Sequence, residues 1–120
     1  MSVSKVLIVD DSPTDLAHLR SIVADAGCLT VTAKSGREAV EKARCEQPDL
    51  IFMDILMPDM DGFEACRVLT NSAETKHIPV VFVTSKGQKA DRVWAKMQGG
   101  KSLVAKPYSS DEILDQINAA

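Results

Sequence analysis

The sequence predicts an α/β domain, a doubly wound parallel sheet of five strands with helices on both faces, and three observations lead there. Five apolar runs of strand length recur along the chain, nearly continuous as strands buried on both sides must be. Segments with apolar residues at helical spacing alternate with them, most opened by a serine or aspartate in capping position. No linker, repeat or low-complexity stretch breaks the alternation, and 120 residues with 45% hydrophobic content suit one core rather than two. The expectation is a single domain over residues 1–120.

Lys5-Val-Leu-Ile-Val9 reads as the first strand and carries Asp10-Asp11 at its end. Ser12-Pro13 opens a helix, serine as N-cap and proline at the first helical position, with Leu16, Leu19, Ile22, Val23 and Ala26 on its apolar face. Gly27 stops it. Leu29-Thr-Val-Thr32 is less apolar, as an edge strand would be. Ser35-Gly-Arg-Glu38 reads as a capping box for a second helix, whose Ala39, Val40 and Ala43 turn inward before Pro48.

The central strand begins at Leu50 and delivers Asp54 to its end, after which Pro58 and Asp61-Gly62 turn the chain. Asp61-Gly-Phe-Glu64 caps a third helix with Phe63, Cys66 and Leu69 buried. Pro79-Val-Val-Phe-Val83 is a fourth strand ending in Thr84-Ser85. A helix from about Gln88 to Gln98 sets Ala90, Val93, Trp94 and Met97 on one side, and Gly99-Gly100 breaks it. Ser102-Leu-Val-Ala105 ends in Lys106-Pro107, and Ser109-Ser-Asp-Glu112 caps the last helix, with Ile113, Leu114 and Ile117 inward.

Composition excludes several functions. A net charge of −3 with scattered lysines and arginines gives no surface for nucleic acid. No apolar run approaches a membrane span, and Met1 to Lys5 leads into a strand rather than a signal sequence, so a cytoplasmic protein without membrane insertion is expected. Cys28, Cys45 and Cys66 are odd in number and lie far apart, which fits reduced thiols. His18 and His77 stand alone and read as surface residues, not metal ligands.

In an open parallel sheet, ligands bind beyond the carboxyl ends of the strands where strand order reverses. Asp10, Asp11, Asp54, Thr84 and Lys106 all stand at strand ends and should converge there. An isolated strand-end aspartate most often caps a turn; the company is what changes that reading for Asp54. Three crowded carboxylates repel one another unless a cation sits among them, and hard oxygen ligands suit Mg2+. A plain structural cation would leave Lys106 and Thr84 without a purpose. Both suit a phosphoryl group on Asp54, since an aspartate can attack phosphorus to give an acyl phosphate once charge on the transferring group is offset.

The set Asp10-Asp11, Asp54 with Met57-Pro58 and Asp61-Gly62, Thr84, and Lys106-Pro107 resembles the receiver domain of two-component response regulators over the whole chain. That resemblance implies a flavodoxin-like fold with strand order 2-1-3-4-5. It implies that Asp54 is modified by a sensor histidine kinase, that Asp11, Asp54 and the carbonyl of Leu56 hold Mg2+ with help from Asp10, and that Lys106 pairs with the phosphate across a cis Lys106-Pro107 bond. Thr84 would swing toward the phosphate. The protein would be no enzyme beyond its own phosphoryl acceptance and loss.

Stand-alone receivers of chemosensory systems, those of twitching motility included, are the nearest likeness within the family. Output would pass through the fourth helix, fifth strand and fifth helix, with Trp94, Leu103 and Tyr108, to an unidentified downstream protein, the chain being a monomer or weak dimer. Trp94 could instead only complete a buried stripe. Leu103 stands where the family usually has an aromatic ring, so the usual threonine-aromatic coupling cannot operate unchanged. Ser85 replaces a smaller residue and could narrow access to the phosphate. Leu56 and Lys86 occupy positions that modulate phosphate loss, and Tyr108 replaces a frequent phenylalanine. Two other readings stay open: a receiver-like interaction module that works without phosphorylation, and a Mg2+-dependent phosphohydrolase. The second lacks a further general acid at a strand end. No glycine loop cradles a nucleotide, since Asp10-Asp11-Ser12-Pro13 stands in its place.

Overall fold

Strands and helices alternate from end to end: β1 (Lys5–Val9), α1 (Pro13–Asp25), β2 (Leu29–Ala33), α2 (Gly36–Glu46), β3 (Leu50–Met53), α3 (Gly62–Thr70), β4 (Val80–Thr84), α4 (Lys89–Met97), β5 (Ser102–Ala105) and α5 (Ser110–Ala119). The computed structural model describes residues 3–85 and 89–120, the side chains of Lys89 and Ala90 excepted. Lys86, Gln88 and the side chain of Ala90, named above from the sequence, lie outside that description.

All strand pairs are parallel and the order is β2-β1-β3-β4-β5, as expected. The chain leaves β1 for one neighbour, β2, and returns to the other side as β3. The carboxyl ends of β1 and β3 therefore flank the crevice at the switch point. Alternation along the strands divides the core in two. Leu7, Val9, Ile51, Met53 and Phe82 face α2, α3 and α4, while Val6, Ile8, Leu50, Phe52, Val81, Val83 and Val104 face α1 and α5. Both faces being covered explains why the strands read as continuous apolar runs.

Local chemistry starts the helices where expected. Ser12 Oγ accepts from the amide of Asp15, Asp61 Oδ1 from that of Glu64 at 2.8 Å, and Ser109 forms a complete capping box with Glu112. Ser35 caps α2, but the return bond differs from the expected box: Glu38 Oε1 accepts from the amide of Lys34, one residue before the cap, at 2.8 Å. Gly27 ends α1 at φ 90°, a left-handed conformation that a Cβ disfavours. Among the described residues, no helix is long and apolar enough to cross a membrane.

Of the two readings of α4 the exposed one holds, while the placement of Leu103 on β5 needs correction. Val93, Trp94 and Met97 do not form a buried stripe: they are 54, 45 and 68% exposed. Ala95 and Gln98 are the buried residues of that segment, the small Ala95 packing in the core cluster with Phe82. A Cβ on Gly100 would lie 2.5 Å from the Phe82 ring, and Gln98 is accommodated by accepting from Arg67 at 2.6 Å. Leu103 does not belong to an exposed face. It is 4% exposed and packs in the same core cluster as Ala95 and Phe82, since the alternation of β5 turns it inward. On the other helices, Ile22, Phe63 and Leu114 are half-buried and Ala26 is exposed.

Candidate functional site

Register brings the site together. Val9 pairs with Met53, and the next residue on each strand is an aspartate; the Asp54 amide donates to the Val9 carbonyl at 2.9 Å, and the Asp10 amide to that of Ala33 at 3.1 Å. Asp10 and Asp54 are thus the first residues past the paired strands, both buried. Asp11 is exposed beside them. One carboxylate oxygen from each of Asp10, Asp11 and Asp54 lies within 4.8 Å of the others.

Backbone donors fix two of these carboxylates. Ser12 N–H donates to Asp10 Oδ1 and Ile55 N–H to Asp54 Oδ1, each at 2.9 Å. Gly62 is required close by: a Cβ there would collide with the Asp54 carbonyl and stand 2.9 Å from the Ile55 Cα. Its amide donates to the Ile55 carbonyl at 2.9 Å, folding the loop over the end of β3.

On the other flank, Thr84 and Ala105 are paired across β4 and β5, and the Lys106 amide donates to the Thr84 carbonyl at 2.8 Å. Thr84 is fully buried. Lys106 follows, its bond to Pro107 cis as the resemblance implied. Its Nζ lies 2.9 Å from Asp10 Oδ2 and 4.0 Å from Asp54 Oδ2. Strand ends separated by up to 96 residues in sequence therefore meet.

Lys106 has a second close partner that sequence reasoning missed. Asp15 Oδ2 accepts from Nζ at 2.9 Å. Asp15 sits in the first turn of α1, where an acidic residue reads as favourable to the helix dipole and no more. The available signal was its place in the first turn of α1, where a helical side chain tilts back toward the helix N-terminus and so toward the end of β1. A cavity of ≈ 400 Å³ opens beside this pair, lined by Asp15, His18, Ser85, Lys106, Pro107 and Tyr108. His18 is exposed and stacks on Tyr108 with ring centroids 5.5 Å apart.

Electrostatics follow from burial and crowding. Burial first, then the charge of Asp10, pushes the Asp54 carboxyl up to about 6, against the opposing pull of Lys106 and the Ile55 amide. Burial pulls the Lys106 ammonium down, but hydrogen bonds to Asp15 and Asp10 outweigh it and hold the pKa above its usual range. Burial also raises Tyr108, to about 12. A cluster of three oxygen donors in which one carboxylate resists ionisation is short of positive charge, although Lys106 stands beside it. That donor set fits a hard divalent cation.

The remaining candidates fall elsewhere. Leu56, two residues past Asp54, has an exposed side chain. Trp94 lies on the outer side of α4, Tyr108 lines the cavity, and Leu103 is in the core.

The chain is similar in sequence and in fold to known proteins. Residues 6–118 match the response regulator receiver domain family. Protein PilH of Pseudomonas aeruginosa is 44% identical over 116 residues, which span 97% of this chain and 96% of that protein. Protein PilG of the same organism is 33% identical over 115 residues, 96% of this chain and 85% of that one. Among solved structures, the chemotaxis protein CheY4 of Vibrio cholerae superposes with a TM-score of 0.91 at 30% identity, covering 98% of both chains. The complex of CheX, CheY, BeF3 and Mg2+ from Borrelia burgdorferi matches with a TM-score of 0.90 at 28% identity, over 97% of this chain and 87% of that one. Matched along nearly its whole length in sequence, and in the order and direction of every strand, this chain belongs to the response regulator receiver domain family.

Proposed function

We propose that residues 1–120 act as one phospho-accepting switch in a chemosensory phosphorelay, with Asp54 as the acceptor and a sensor histidine kinase as the donor. The observation that carries this is a buried carboxylate at the switch point, flanked by two more and with an ammonium 4.0 Å from its Oδ2. An Asp54 oxygen attacks the phosphorus of a phosphohistidine; the O–P bond forms as the N–P bond breaks, and the imidazole nitrogen keeps the electron pair and takes a proton. Loss of the group is attack by water on the same phosphorus, which returns the carboxylate and releases inorganic phosphate.

Asp10, Asp11 and Asp54, with the carbonyl of Leu56, would hold magnesium. When bound there, magnesium supplies positive charge to the phosphoryl oxygens. Lys106 orients and neutralises the group from the other side, and the Thr84 hydroxyl moves to it. The Borrelia CheY complex, with BeF3 and Mg2+ together, supports the pairing of a phosphoryl mimic with that ion.

Output passes to a downstream protein through the exposed apolar side of α4, Val93, Trp94 and Met97, with Tyr108 beyond β5. Leu103 contributes from the core by fixing α4 rather than by touching a partner. Likeness to PilH and PilG supports a place in twitching motility, and a cytoplasmic location goes with it. Intact mass after incubation with a small phosphodonor tests the reading: one phosphoryl group added with Mg2+ and none with chelator supports it, and no addition under either condition contradicts it.

A further inference from the structure

Lys106 Nζ carries three N–H donors, and two are committed, to Asp10 Oδ2 and to Asp15 Oδ2, both at 2.9 Å. Asp54 Oδ2 is farther away, at 4.0 Å. Asp15 differs from the other carboxylates around this ammonium. It comes from α1 rather than from a strand end, and it is outside the three whose oxygens gather within 4.8 Å. The helix holds it in place, its own amide donating to Ser12 Oγ at 3.4 Å. The Lys106 side chain is 19% exposed and that of Asp15 46%, so the pair is partly screened yet faces a largely shielded ammonium.

The geometry points to Asp15 as a positioning residue that sets the resting place and effective charge of Lys106, favouring a cation in the carboxylate cluster and opposing a phosphoryl group on Asp54. The inference rests on the phospho-acceptor reading above. A phosphoryl group brings three acceptor oxygens and a charge of about −2 at most. For Lys106 to close on it, the ammonium must leave Asp15 or share its donors with it, and whatever that contact contributes to the resting state opposes the phosphorylated one. The same negative charge partly offsets the ammonium as seen by a cation among Asp10, Asp11 and Asp54, which helps the cation. One carboxylate thus acts in opposite directions on two ligands. A residue that only supported the fold would move both affinities the same way.

Calorimetric titration separates these cases. Mg2+ is titrated into the protein, and beryllofluoride is then titrated with Mg2+ saturating, for wild type, Asp15→Asn, Asp15→Glu and Asp25→Asn. Asp25 is exposed on the same helix and serves as the control. Asp15→Asn keeps the shape and loses the charge; it should bind Mg2+ more weakly and beryllofluoride more tightly, each by roughly two- to fivefold, the scale of a half-exposed ion pair. Asp15→Glu should restore both, and Asp25→Asn should match wild type. Affinities that stay unchanged in Asp15→Asn, or that both move the same way, would overturn the role of Asp15 alone. Failure of wild type to bind beryllofluoride would overturn the acceptor reading and this role with it.

Discussion

Trp94 meets Phe63 edge-on, with ring centroids 6.4 Å apart and planes at 85°. Phe63 in turn meets Phe82 at 5.1 Å and 72°. Three rings therefore link β4, two residues before Thr84, to the outer side of α4 by way of α3, in a protein whose β5 carries Leu103 where an aromatic switch would sit. Trp94 is the only tryptophan. Its fluorescence should change in intensity or quencher access when Mg2+ and beryllofluoride are added together, and Thr84→Ala should reduce the change. A flat response in wild type, with binding of the mimic shown independently, would remove this face from the output.

Substitutions around the acidic cluster should move metal affinity in opposite directions. Asp11→Ala removes an exposed member of the cluster and should weaken Mg2+ binding about tenfold or more, the scale seen for residues that support a metal site. Asp25→Ala, far along α1, should leave it unchanged. Lys106→Ala removes a cation 4.0 Å from Asp54 and should strengthen Mg2+ binding while abolishing the Trp94 response to beryllofluoride. Equal titration curves for Asp11→Ala and Asp25→Ala would contradict the placement of the metal.

The Asp54 carboxyl also makes stability depend on pH. Its pKa rises from 3.8 to about 6 on folding, so between those values the folded state binds more protons than the unfolded one. Stability then falls as pH rises from about 4 to about 6, and the full penalty stands above that. With chelator present, Asp54→Asn should be more stable than wild type at pH 7 by up to about 3 kcal/mol, two pKa units at about 1.4 kcal/mol each. The gain should shrink toward zero near pH 4. Denaturant melts at the two pH values check this, and an equal difference at both would refute the cause assigned.

Gly62→Ala tests how the loop is held. The added Cβ collides with the Asp54 carbonyl, and rigid backbone on both sides leaves little room to yield. The variant should lose about 1–3 kcal/mol, the range for overpacking, and its Mg2+ affinity should fall as the end of β3 shifts. A variant with wild-type stability and metal binding would show that the loop adapts.

Much of this was legible in the sequence because it rests on one-dimensional patterns. Continuous apolar strands ending in Asp10, Asp54, Thr84 and Lys106 reveal a two-sided parallel sheet, and a parallel sheet necessarily gathers its strand ends on one rim. What the sequence hid depends on distances between elements. The stripe of Val93, Trp94 and Met97 has helical spacing, but periodicity does not say which side of α4 meets the sheet; the close approach at Gly100 and Ala95 decides that. Leu103 was assigned to the right strand and the wrong face. Asp15 drew no notice in the sequence, since only the length and direction of the Lys106 side chain bring the two together.

The central claim is that Asp54 itself receives the phosphoryl group, although Asp10 and Asp11 lie within the same few ångströms. Borohydride reduces an acyl phosphate to an alcohol and leaves free carboxylates intact, so it marks the acceptor for peptide mass spectrometry. After treatment with acetyl phosphate and Mg2+, the reduced residue should be found at position 54 and at neither 10 nor 11, and Asp54→Asn should yield none. Reduction at Asp10 or Asp11 in the wild type, or continued labelling of Asp54→Asn, would contradict the account.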